Sequence, residues 1–153
     1  MTDATIRRFE PGDSDAVLAL NERAMAAEGT DPADVPDIDD LHRIEAEYLD
    51  SGGEFLVARL DGRLVGMGGL TVDGEVAELF RMRVDPAHQR SGIGSRLLAR
   101  LEDAARERDA TRLLAETAAR QRAAIAFYPV HGFEERGRRS FGDYELIHFE
   151  KRL

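Results

Sequence analysis

The sequence predicts an α+β fold: a mixed, mostly antiparallel seven-stranded sheet flanked by four helices, in the order β-α-α-β-β-β-α-β-α-β-β. Three observations predict it. Two short turn signals, Asp61-Gly62 and Asp73-Gly74, tie three strand-like runs into consecutive antiparallel strands. A strand ending at Val84 then feeds a glycine-containing loop, a long amphipathic helix and a further strand, the kind of right-handed crossover that a parallel pair requires. Two more strand-like runs, Phe133–Arg138 and Glu145–Lys151, close the chain around a polar loop with Gly142-Asp143.

The elements follow in order. Thr5–Phe9 is a short strand anchored by Ile6 and Phe9, broken by Pro11-Gly12-Asp13. Asp13 or Ser14 can cap the helix that runs to about Ala27. Gly29–Asp40 holds Pro32, Pro36 and several aspartates and reads as a loop, and Leu41–Leu49 returns to helical spacing before Ser51-Gly52-Gly53 ends it. Glu54–Leu60 and Arg63–Val72 form the first hairpin; Gly66, Gly68 and Gly69 in its second strand predict a bulge or a close backbone approach. Glu75–Val84 is the central strand, stopped by Asp85-Pro86. The long helix carries Ile93, Leu97, Leu98, Leu101, Ala104 and Ala105 on one face. Arg112–Glu116 is the parallel strand, and Gln121–Val130 a helix in which Pro129 is tolerable only near the end.

The 153 residues fit a single domain over 1–153, and 42% hydrophobic with 33% charged residues is a soluble globular composition. No apolar run reaches the roughly 20 residues of a membrane helix, and the opening Met-Thr-Asp-Ala-Thr lacks a basic-then-apolar signal pattern, so a cytoplasmic location is expected. A net charge of −9 argues against nucleic acid and anionic membranes as partners. The absence of cysteine excludes disulfides, thiolate zinc sites and a cysteine nucleophile, and no His/Asp/Glu spacing marks a metal site.

The central stretch is Gln89-Arg90-Ser91-Gly92-Ile93-Gly94-Ser95, a loop opening straight into a helix. Glycines there let backbone N–H groups approach a ligand, and the first N–H groups of a helix, with its dipole, favour an anion. The run lacks the third glycine of a dinucleotide fingerprint and the lysine of a P-loop. A diphosphate against the N–H groups of Gln89 through Ser95 is the direct reading, with Arg90 and Arg96 as nearest side-chain cations; an ordinary strand-to-helix turn is the alternative.

Gln-x-x-Gly-x-Gly after a strand ending in Val-Asp-Pro resembles the acyl-CoA-binding motif of the GNAT family of N-acetyltransferases. The resemblance extends to Ala77–Val84, Glu116-Thr117, Gln121, Ala124–Tyr128 and Gly132-Phe133, in the family's order. It implies a GNAT-like fold, acetyl-CoA or another acyl-CoA as donor, and an acetyl group passed to an amine by direct attack in a ternary complex. The acceptor would be a small-molecule or peptide amine. The pantetheine arm would run along Met82, Arg83 and Val84 like an added strand, where the fourth and fifth strands splay. Gln121 stands where many members carry asparagine, which leaves its contact with that arm open. The family also includes homodimers.

Two residues carry the expected chemistry. Glu78 sits mid-strand beside Leu79, Phe80 and Met82, where burying a carboxylate costs about several kcal/mol unless it is paired or its pKa rises. It matches a position that serves as general base in several members; an ion pair with Arg81, Arg83 or a neighbouring arginine is the competing reading. Tyr128, a few residues before Gly132-Phe133, matches the family's general acid, a phenol that protonates the departing thiolate; a packed core tyrosine competes. The same fold without the chemistry would be a non-catalytic acyl-CoA-binding sensor. His88 and His131 read as surface and packing residues, and His42 and His148 have no visible partner. Arg81 and Arg83 can hold an acceptor carboxylate or pair with nearby acids. Gly29–Tyr48 and Gly137–Tyr144 remain to shape the acceptor site, the aspartates at 31, 34, 37, 39 and 40 reading as a solvated face rather than a polyamine trap.

Overall fold

The structure, a computed structural model, describes residues 4–29, 39–142 and 144–153. One seven-stranded sheet organises them: β1 (Thr5–Arg8), β2 (Glu54–Leu60), β3 (Arg63–Asp73), β4 (Val76–Val84), β5 (Arg112–Ala118), β6 (Glu134–Phe141) and β7 (Tyr144–Arg152), in the spatial order β1-β2-β3-β4-β5-β7-β6. Every neighbouring pair is antiparallel except β4 and β5, joined by the crossover helix. The helices are α1 (Ser14–Ala27), α2 (Ile93–Glu107) and α3 (Arg122–Val130), with a 3-10 turn at Asp39–His42 and a π-helical turn at Glu45–Leu49 in place of one regular second helix.

Strand alternation sorts the core into two layers. On one face α2 and α3 cover Leu56, Ala58, Val65, Leu79, Leu113 and Ala115. On the other, α1 and the turns around Leu41, Ile44 and Tyr48 cover Phe55, Val57, Leu64 and Met67. All six apolar positions predicted along α2 are buried. The glycines of β3 do what their spacing predicts. A Cβ at Gly66 would come within 2.9 Å of both Ile93 and Leu97, and one at Gly68 within 2.5 Å of the Met82 sulfur, so α2 and β4 press against bare backbone there.

The expected bulge lies in this same pair. Met67 pairs with Arg83 and Gly69 with Phe80, so Gly68 faces two residues, Arg81 and Met82. Arg81 takes the left-handed conformation (φ 57°), which costs a non-glycine residue about 1–2 kcal/mol. The pairing of β4 with β5 stops at Leu79 and Ala115, although β4 runs on to Val84 and β5 to Ala118. The two parallel strands part there, as the family pattern implies.

Two sequence expectations shift, and a third falls outside the described residues. The last hairpin is longer than read: β6 continues through Arg139 to Phe141, so residues taken as a loop are paired strand. Leu41–Leu49 is two short turns, because Asp40 and Tyr48 spend their polar groups on a tertiary cluster described below. Residues 30–38 and Asp143, with the aspartates at 31, 34 and 37, lie outside the described residues.

Candidate active site

The parting of β4 and β5 opens a cleft of about 420 Å³. Its walls are the end of β4 (Met82, Arg83, Val84), the loop with Gln89 and Arg90, the start of α2 (Gly92 to Ser95), Gln121, one side of α3 including Phe127 and Tyr128, and Ala24 and Met25 of α1 with Glu28 at its C-cap. The cleft therefore draws on helices from both faces of the sheet.

At one end lies the start of α2. Gly92 is its N-cap, with φ 88°, a conformation glycine takes without a Cβ penalty. The first of these amides bonded within the chain is Arg96 N–H, onto Gly92 O at 3.1 Å; those of Gly92, Ile93, Gly94 and Ser95 make no hydrogen bond to a described residue. Four donors and the positive end of a 15-residue helix thus face the cleft. Asp85 sets the approach: its carboxylate accepts Ala87 N–H (2.9 Å) and Arg23 (3.0 Å), fixing the turn after β4. Ser91, absent from the cleft wall, donates its hydroxyl to His88 O and shapes the loop from within. Gly94 lies so near α3 that a Cβ would stand 3.3 Å from the Phe127 ring.

Gln121, the N-cap of α3, accepts the Thr117 hydroxyl on its side-chain oxygen (2.7 Å), which leaves its NH2 for a ligand. On the α3 wall Tyr128 is buried among Phe127, Phe133 and Phe149, with ring centroids 5.1–5.5 Å away. Burial pushes its phenol up to about 12, against the opposing effect of the Arg83 charge. Its hydroxyl makes no hydrogen bond to a described residue, although a buried tyrosine normally has a partner.

Arg83 lies across the same space. Its Nε donates to Asn21 Oδ1 (3.1 Å) and its Nη1 to Met82 O (3.2 Å). Burial, then the nearby Arg81 charge, lowers its pKa to about 10. Arg81 itself is spoken for: its guanidinium grips Asp40 at 2.7 and 3.1 Å, and the Tyr48 hydroxyl donates to the same carboxylate at 2.6 Å.

Glu78 does not line the cleft. It stands one residue before the parting point, half-buried, on the sheet face opposite its buried neighbours Ala77 and Leu79. Burial, and then repulsion from Glu116, raise its carboxyl above the usual range. It forms no ion pair with a described residue, contrary to the competing sequence reading; Glu116 takes the nearby cations, Arg139 at 2.8 Å and His148 at 2.7 Å. His148 accordingly has a partner that the sequence did not reveal.

Two further features escaped the sequence. His131 stacks on Phe127 (4.1 Å) at the cleft mouth; its Nδ1 meets Phe127 O at 2.8 Å and its Nε2 meets Ser95 Oγ at 2.8 Å. A Nδ1–H donor then leaves Nε2 to accept the serine hydroxyl. Asn21 shares a buried stripe with Val17, Leu20 and Ala24, and a polar residue in that stripe was the available signal for the Arg83 contact. Among the described residues no cluster of three or more acidic or histidine side chains is placed to hold a metal, and no helix is long and apolar enough to cross a membrane.

Comparison with known proteins bears on this geometry. The model of the acetyltransferase (GNAT) family matches residues 18–133. The chain is 36% identical over 146 residues to an IAA acetyltransferase of Azospirillum brasilense, covering 94% of this chain and 92% of that protein. An acetyltransferase of the GNAT family from Staphylococcus aureus superposes with a TM-score of 0.88 at 25% identity, over 98% of this chain and 99% of that one. The PaiA N-acetyltransferase of Thermoplasma acidophilum, solved in complex with coenzyme A, shares the fold (TM-score 0.77, 19% identity, 99% and 100% coverage).

Proposed function

Because the chain belongs to the acetyltransferase (GNAT) family, we propose that it transfers an acetyl group from acetyl-CoA to the amine of a small molecule or peptide by direct attack. The observation that carries this reading is a single cleft with two unsatisfied ends. Four backbone N–H groups at the start of α2 wait at one end, and the phenol of Tyr128 waits beside the parted strands, all without a hydrogen-bond partner among the described residues. The residues fit acetyl-CoA: the α2 start takes the diphosphate, the unpaired edge of Met82, Arg83 and Val84 takes the pantetheine amides, and the Gln121 NH2 adds a contact along the arm.

Bound there, acetyl-CoA supplies an activated acyl group; the chain supplies proton handling and position. The acceptor amine is mostly protonated at neutral pH. Glu78, with its raised pKa, takes that proton through an intervening water, and the freed nitrogen forms the new N–C bond. As the C–S bond breaks, Tyr128 gives its proton to the sulfur, and the proton that the new amide nitrogen sheds restores the phenol. A phenol pushed to about 12 stays protonated throughout the physiological range, as an acid must. The test is a release assay for CoA thiol with a panel of amines, including peptide N-termini, and with IAA, after which the Azospirillum relative is named, as a separate acceptor. Acetyl-CoA raises Tm while NAD and ATP do not. Absence of a shift with any acyl-CoA refutes donor binding. A shift without thiol release for any acceptor points instead to the non-catalytic module.

A further inference from the structure

We propose that Arg83 makes this cleft selective for acceptors that carry a carboxylate beside the reacting amine, as an amino acid does. The inference rests on the acetyltransfer reading and names its substrate class. A guanidinium has five N–H groups and a charge that is never lost near neutral pH. Arg83 spends two of them, both on neutral oxygens: Asn21 Oδ1 and Met82 O. Three N–H groups at the open end of the fork are left without an acceptor among the described residues, in the wall of the cleft that also holds Tyr128.

No described carboxylate neutralises this charge. Asp40 is the one close enough to act on it, but Asp40 is occupied by the Arg81 fork and the Tyr48 hydroxyl. Glu28 lines the same cleft and forms no ion pair with it. Arg81, the neighbouring cation, increases the electrostatic strain. A half-buried fork with no carboxylate partner among the described residues is suited to a planar, bidentate anion. The diphosphate is not that anion, since it belongs at the α2 end. What stands opposite Arg83 is the reaction zone, beside the phenol that the mechanism assigns to the leaving sulfur. Asn21 is then a positioning residue, holding Nε so that the free end of the fork stays in the cleft.

The experiment compares amino acids with their decarboxylated counterparts: alanine against ethylamine, and phenylalanine against 2-phenylethylamine, each with acetyl-CoA. One charge-assisted bidentate pair predicts a preference in kcat/KM of about 10- to 100-fold for the amino acid. Arg83→Gln cuts that preference about tenfold or more, and Arg83→Lys keeps part of it. A fold-wide or donor-binding defect lowers both members of a pair together and leaves their ratio unchanged, and that result overturns the proposal. So does a native preference for the amines, the outcome expected if Arg83 is neutralised from within the chain. A preference for succinyl-CoA over acetyl-CoA that disappears in Arg83→Gln places the carboxylate on the acyl chain and overturns the assignment to the acceptor. A binding arm separates this proposal from acetyltransfer itself. With CoA present, calorimetry compares N-acetylphenylalanine with N-acetyl-2-phenylethylamine. Tighter binding of the acid, lost in Arg83→Gln, supports the carboxylate site even if no amine is turned over. Equal binding overturns it.

Discussion

The chemistry proposed at single residues turns on two groups whose surroundings push their pKa values in the directions their proposed roles need. Tyr128 is predicted to act as acid, so Tyr128→Phe lowers kcat by about 10²–10⁴ while the Kd for CoA changes little; stopped assays and calorimetry on the same preparation read both. Unchanged kcat refutes the assignment. Glu78 gives a two-sided prediction. Its folded pKa is raised, so the stability it supports is complete below the unfolded carboxyl value and is lost as pH rises through the folded value. At neutral pH the ionised group faces Glu116 with no ion-pair partner among the described residues, His148 and Arg139 offsetting only part of its burial and that repulsion, and Glu78→Gln is therefore predicted to raise Tm at pH 7. The same substitution removes the ascending limb of kcat/KM that begins just above the ordinary carboxylate range. A variant that is less stable, or that keeps the limb, excludes Glu78 as base. Both residues could be singled out in the sequence as candidates because each stands at a marked place in a motif. Asn21 and His131 were not, since their roles arise only from contacts with Arg83 and Ser95, distant in sequence.

Among the elements, β3 and β4 carry the most weight. The glycine spacing of β3 announced a close approach, and the hairpin turns fixed its partners, so the run β2-β3-β4 could be read from short-range signals. The bulge itself could not be located, because its left-handed residue is Arg81 rather than a glycine. Arg81 holds that conformation through its grip on Asp40, which also bonds Tyr48 in the turn Glu45–Leu49. Burial alone raises the Asp40 carboxyl, but the hydrogen bonds from Arg81 and Tyr48 prevail and hold it below its usual range. Asp40→Asn, which leaves the Arg81 charge unpaired, is predicted to cost about 2–4 kcal/mol, a fall in Tm of several degrees, and to weaken acceptor KM more than CoA binding. A stable variant with normal KM means that this cluster only decorates the surface. At the start of α2, Gly92→Ala is predicted to cost about 1 kcal/mol through its positive φ, with Asn tolerated better than Ala; urea midpoints compare the three.

Across the whole molecule, the acidic composition is organised rather than diffuse. Hydrogen bonding to Arg7 holds the Asp13 carboxyl low, and Arg59 stands 3.3 Å away. A lowered pKa means that this contribution is present above the unfolded value of about 3.9 and is lost as pH falls through the folded one. The chain is predicted to lose stability below about pH 4, and Asp13→Asn to flatten that acid limb at a cost of about 1–2 kcal/mol at pH 7, partial exposure of both arginines keeping the loss modest. A limb unchanged in the variant assigns acid sensitivity to other carboxylates. The fold class was legible because local signals agreed with the global arrangement at nearly every element. The two turns around residues 39–49 were not, since a tertiary ion pair overrides helical spacing there. The gap between β4 and β5 passes through the sheet from the α3 side to the α1 side, and this has a kinetic consequence. On the proposed reading, donor and acceptor arrive from opposite sides, neither obstructing the other's exit. Initial-rate lines for donor and acceptor should then intersect, and an unreactive CoA thioether should compete with acetyl-CoA while leaving the acceptor's half-saturation nearly untouched. Parallel lines would mean that traffic through the slot runs one way, with one product gone before the second substrate enters.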